Sequence, residues 1–141
     1  MSRLRLATAA LAVAGIGIAG YLTWVHYAGL EPVCVGGGGG CEQVQTSRWA
    51  ELAGVPVALL GLVAYTTVLA SLALPDEAGR TVAAFVSLVG FGFSGWLTYM
   101  ELEKIGAVCQ WCVASAVVMT ALAAVSVARL LRGARHGVLV A

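Results

Sequence analysis

The chain has 141 residues, 60% of them hydrophobic and 11% charged, with a formal net charge of +1 and a mean hydropathy of +0.92. A domain built to face water carries about 25% charged residues, so the composition excludes an ordinary soluble fold. Near-neutrality, with no basic stripe and interleaved aromatics, argues against nucleic acid as a partner. The length suits one membrane-embedded unit, residues 1–141, rather than several domains.

Four apolar stretches follow one another: Leu6–Val25, Val55–Leu74, Val82–Met100 and Val108–Ala128. Each is close to the ~20 residues a helix needs to cross a bilayer, and none has a charged residue in its interior. They predict transmembrane helices over about 6–27, 55–74, 82–101 and 108–130, with a long outer loop over 28–54. Lipid leaves helices as the ordinary way to satisfy this much backbone. The expected fold is therefore an all-α membrane protein, a four-transmembrane-helix bundle. Arg3 and Arg5 before the first stretch resemble the start of a signal peptide. Its apolar region exceeds the usual 7–15 residues of such a signal, so it is read as a retained helix.

Charge orients the bundle. With both termini in the cytoplasm, Arg3, Arg5, Arg80, Arg129, Arg132 and Arg135 lie inside, and Arg48 and Lys104 outside, as the positive-inside rule asks. The link around Pro75-Asp76-Glu77-Ala78-Gly79-Arg80 is then a tight inner turn, and Glu101–Ala107 a short outer one.

The first outer segment carries Cys34-Val-Gly-Gly-Gly-Gly-Gly-Cys41, and the fourth apolar stretch opens on Cys109-Gln110-Trp111-Cys112. All four cysteines thus fall on the outer, oxidising side. Taken alone, the loop pair fits a structural disulfide. Six intervening residues are a poor spacing for zinc, and Val113 stands where covalent haem attachment needs a histidine, so no metal is expected. Cys-x-x-Cys closes a small, readily reduced disulfide, and a helix N-terminus favours a thiolate. Both are properties of a redox couple. Glycine-rich chain is flexible coil, which lets the loop pair exchange with a second disulfide as a rigid staple could not. No Rossmann fingerprint or haem ligand pair offers an electron acceptor. A lipid-soluble carrier in the bilayer remains, with Trp96, Tyr99 and Trp111 as candidate walls of its pocket, although aromatics also gather at membrane interfaces for reasons of their own.

Further elements join these: Ser47-Arg48-Trp49 after the loop pair, Gly54-Val55-Pro56 with Gly61 and Tyr65, and Gly95-Trp96-Leu97-Thr98-Tyr99 leading to Cys109-Gln110-Trp111-Cys112. In this order, over nearly the whole chain, they resemble the vitamin K epoxide reductase family, in its bacterial single-domain form. The resemblance implies a quinone-dependent thiol oxidase. Cys109 and Cys112 would be the active-site couple, with Cys112 facing the quinone. Cys34 and Cys41 would be the shuttle pair, Cys41 joining Cys109 transiently and Cys34 exchanging with the protein partner. Ser47, Trp49, Val57, Trp111 and Ala116 would lie at the substrate, and residues about 42–53 would form a short surface cap helix. The acceptor would be menaquinone or ubiquinone. The partner would be a separate DsbA-like thioredoxin-fold protein outside the bacterial cytoplasmic membrane, since this chain carries no such domain.

Animal members that reduce the vitamin K epoxide use an amide and a tyrosine where this chain has Val57 and Ala116. Neither replacement offers a side-chain hydrogen bond, which favours quinone reduction over epoxide reduction. The other four-helix quinone-linked oxidases, of the disulfide bond protein B type, place their Cys-x-x-Cys in the first outer loop, the reverse of the order here. A non-enzymatic four-span protein with a stapled loop is the alternative from another class.

Overall fold

The structure, a computed structural model, describes residues 3–29, 51–52, 55–100, 102–103 and 110–140. It is helical apart from one two-residue strand pair: α1 (Arg3–Ala28), β1 (Glu51–Leu52), β2 (Val55–Pro56), α2 (Val57–Ser71), α3 (Asp76–Met100) and α4 (Gln110–Val140). Three helices are long and apolar enough to cross a membrane: α1, α3 from Glu77 and α4 as far as Gly133. The fourth, α2, has 15 residues, a rise of about 22 Å.

Several boundaries differ from the sequence expectation, each for a local reason. Helix α2 begins at Val57 rather than 55, because Val55–Pro56 pairs antiparallel with Glu51–Leu52. Val55, preceding a proline, is disfavoured in helical conformation, and Pro56 itself is extended, with φ −58° and ψ 134°. The helix ends at Ser71 rather than 74. There the chain tightens through Leu72 N–H to Leu69 O (3.2 Å), Ala73 N–H to Ala70 O (3.0 Å) and Leu74 N–H to Ser71 O (3.1 Å), ahead of Pro75, which disfavours helix at the residue before it. The expected inner turn at 76–80 is instead the opening of α3. Gly79 N–H bonds to Pro75 O at 2.8 Å, and Asp76 and Glu77 stand where a helix dipole favours acid. At its far end α4 runs to Val140, ten residues past the expected 130, continuing through Gly133 and Gly137 although glycine disfavours helix. The cap helix expected over 42–53 is corrected at Glu51–Leu52, which are strand. Residues 42–50 and 53 lie outside the described residues.

The helices pack as a ring, α1 on α2 and α4, and α3 on α2 and α4. Arg5 at the start of α1 donates to Leu72 O beyond the end of α2, at 2.5 Å. The guanidinium of Arg80, near the start of α3, lies against Gly133 towards the end of α4. Sequence neighbours therefore run antiparallel, and Arg3, Arg5, Arg80, Arg129, Arg132 and Arg135 share one end. The core is small: Ala12, Ala19, Tyr65, Val68, Ala83, Met119 and Leu122 form its buried cluster. Outside it, Phe85, Leu88, Val89 and Phe91 on α3 are exposed, as a lipid-facing surface should be. Hydroxyls inside the bundle bond back to their own helix, Ser87 to Ala83 O at 2.5 Å and Thr8 to Leu4 O at 2.8 Å. Such back-bonding spares these hydroxyls the cost of an unmet polar group in an apolar medium, whereas the buried Ser126 hydroxyl on α4 has no hydrogen-bond partner among the described residues.

Candidate functional site

Opposite the arginines, the end of α1, the start of α2, the end of α3 and the start of α4 come together. The first turn of α4 carries Gln110, Trp111 and Cys112. Its leading N–H groups lack intrahelical partners, and the aligned peptide dipoles favour negative charge there. Cys112 is half-buried. The residue is thus neither sealed in the core nor fully open, a placement compatible with reaction at its thiol.

Trp111 packs against Tyr21 of α1, ring centroids 4.8 Å apart and tilted by 40°. Tyr21 in turn lies 6.4 Å from Trp24. Tyr21 was not a sequence candidate; its only signal was an aromatic residue near a helix end. Trp96 and Tyr99, read as pocket walls, are 39% and 55% exposed. Trp96 stacks on Phe93 of its own helix at 5.7 Å, so both sit on the outside of the bundle.

One turn below Cys112, the Tyr65 hydroxyl reaches across from α2 to α4. It lies 2.9 Å from the Ser115 carbonyl oxygen and 2.9 Å from Ser115 Oγ. A tyrosine has one proton to give. With that proton on the carbonyl, the serine hydroxyl donates back to the tyrosine oxygen, and both groups are satisfied. The ring is fully buried and lies against Gly15 of α1, where a Cβ would overlap it. Ser115 was also missed by sequence reading, although it lies four residues after Trp111, on the same helix face.

Of the expected site residues, the structure places four. Val57 is the first residue of α2, and Trp111, Cys112 and Ala116 share the first two turns of α4, all half-buried. Cys34, Cys41, Ser47, Trp49 and Cys109 lie outside the described residues. Among the described residues no group of three or more His, Cys, Asp or Glu is positioned to hold a metal. Val57 and Ala116 present only apolar atoms, compatible with a quinone ring and offering it no side-chain hydrogen bond.

Residues 6–127 match the sequence model of the Vitamin K epoxide reductase family. That is most of the chain, and it includes every element that forms this end of the bundle. The chain belongs to this family, whose members are membrane oxidoreductases of the quinone and vitamin K epoxide reductase type.

Proposed function

We propose that this vitamin K epoxide reductase family member is a thiol oxidase that makes disulfides and passes the electrons to a membrane quinone. In this reading α2 is the fourth crossing of a single domain over 1–141, and both termini lie in the cytoplasm. The Cys112 end faces outward from a bacterial cytoplasmic membrane. Six arginines at the opposite end support that orientation.

The electrons and protons balance in two exchanges. A reduced, DsbA-like thioredoxin-fold partner attacks the Cys34–Cys41 disulfide and leaves oxidised, so the loop pair becomes a dithiol. Cys41 thiolate then attacks Cys109 of the Cys109–Cys112 disulfide, releasing Cys112 as thiolate. Cys34 resolves the mixed bond by attacking Cys41, which frees Cys109. When Cys109 and Cys112 close again to a disulfide they give up two electrons, and menaquinone or ubiquinone takes these with two protons to become quinol. No metal is needed, because thiolate character and in-line geometry carry such exchange. Ser47 and Trp49 would cover the ring, with Trp111, Val57 and Ala116 lining its site.

The observation that carries this reading is the half-buried Cys112 in the first turn of α4, at the end away from the arginines. The apolar pair Val57 and Ala116 favours quinone over epoxide as the oxidant. The test is purified protein mixed with a small dithiol and a quinone, following quinol by absorbance. Cys112→Ala should abolish turnover. Cys34→Ala should keep dithiol-driven reduction yet lose turnover with a thioredoxin-fold partner. Wild-type behaviour in both variants would sink the relay, and a single inert loop disulfide on thiol trapping would point to a stapled scaffold instead.

A further inference from the structure

Trp111 and Ser115 are four residues apart and so share one face of α4. Tyr21 of α1 packs on the first, and Tyr65 of α2 bonds to the second. Cys112 follows Trp111 by one residue, about 100° around the helix, and stands about 4.5 Å above Ser115 along the axis. The start of α4 is therefore held from two helices on one face, with the cysteine on the flank of that face. Of the two anchors, the Tyr65 bond is the more directional, since a hydrogen bond weakens steeply as its angle closes. The ring that delivers it cannot drift. It is fully buried and backed by Gly15, where even one added carbon would overlap it.

We infer that Tyr65 is a positioning residue for the redox reaction: through its paired hydrogen bonds to Ser115 it fixes the height and rotation of the first turns of α4, and so the place of the Cys112 sulfur. It acts through Ser115 rather than at the reacting atoms. Its role rests on the proposed function only for the consequence in turnover, because the placement of Cys112 is a property of the bundle itself. The chemistry makes placement matter. Disulfide exchange requires the attacking, central and leaving sulfurs in line, Cys112 being the leaving one, and a misplacement of about 1 Å at a reacting atom can cost on the order of 100-fold in rate.

The experiment compares wild type, Tyr65→Phe, Ser115→Ala and Ser115→Thr in the full chain, reduced and in detergent. Two readouts are taken, the pH profile of Cys112 alkylation by a maleimide, mapped by mass spectrometry, and quinol formation with a small dithiol. Tyr65→Phe keeps the ring against Gly15 and removes only the hydroxyl. It is expected to speed Cys112 alkylation severalfold and shift its pH profile, and to lower kcat about tenfold with the KM for quinone unchanged. Ser115→Ala keeps the bond to the carbonyl and should lower kcat about threefold, while Ser115→Thr restores the hydroxyl and should match wild type. The proposal is overturned if Tyr65→Phe alkylates like wild type, or if kcat falls only in step with the folded fraction. Should Tyr65→Phe fail to fold, the contrast between Ser115→Ala and Ser115→Thr decides, and equal alkylation profiles in those two overturn it. A wild-type protein that forms no quinol refutes the thiol-oxidase reading and leaves the alkylation comparison to judge Tyr65 by itself.

Discussion

Gly15→Ala puts the packing of this bundle to a quantitative test. Alanine usually stabilises a helix relative to glycine, by about 1 kcal/mol, so propensity alone favours the change. The bundle opposes it. A Cβ at position 15 overlaps the Tyr65 ring, and that ring is fully buried with its hydroxyl tied to Ser115. One extra carbon in a filled core costs about 1–3 kcal/mol. If the ring moves to relieve the overlap it gives up two hydrogen bonds, each about 1 kcal/mol net. These two costs are alternatives, so set against the propensity gain the net destabilisation is about 1–2 kcal/mol. The same substitution made with Tyr65→Ala enters an emptied site and should be neutral or stabilising by up to about 1 kcal/mol. The reversal of sign, rather than either value, identifies the contact. Denaturation in detergent with increasing sodium dodecyl sulfate, followed by circular dichroism, measures all four corners of the cycle. Gly17→Ala serves as control, since nothing lies within 4 Å of a Cβ there. A Gly15→Ala protein as stable as wild type, or an equal penalty in both backgrounds, would refute the reasoning.

Three further outcomes follow from other close approaches. Gly79→Ala drives a Cβ into the backbone carbonyl of Ser71, which cannot swing aside as a side chain can. It should open the α2–α3 turn and destabilise by about 2 kcal/mol or more in the same titration. Gly90→Ala meets the Cε and Sδ of Met119 at 2.7 and 2.8 Å. That side chain is flexible, so the cost should stay within about 1.5 kcal/mol, and a loss as large as that of Gly79→Ala would contradict this account. Tyr21→Leu removes the ring packed at a tilt against Trp111 and should red-shift the tryptophan emission while costing about 1 kcal/mol; unchanged fluorescence would place Trp111 against something else.

Much of this molecule is legible in its sequence because lipid imposes strong constraints on it. Uninterrupted apolar runs near 20 residues mark the helices, since charge and unpaired backbone are both costly in hydrocarbon. The arginine asymmetry indicates which helix ends belong together. The order of the loop pair, Gly54-Val55-Pro56, Gly95-Trp96 and Cys109-Gln110-Trp111-Cys112 carries the resemblance to the family, and the family match over residues 6–127 bears it out. What hydropathy could not set were the ends of the helices. Pro56 and Pro75 shortened α2, and the acidic residues read as a turn opened α3, because local hydrogen bonding rather than apolar character decides where a helix stops.

Tertiary structure alone decided how the start of α4 is held. Nothing in the spacing of Gly15, Tyr65 and Ser115 says that they meet, for they stand on three helices and up to 100 residues apart. They meet because close packing admits few solutions. A glycine on α1 makes room for a ring from α2, and the ring carries one hydroxyl to Ser115 in the second turn of α4. The Cys-Gln-Trp-Cys motif marks Cys112 as a candidate redox thiol, but only the packed bundle determines which residues hold the helix turn that carries it.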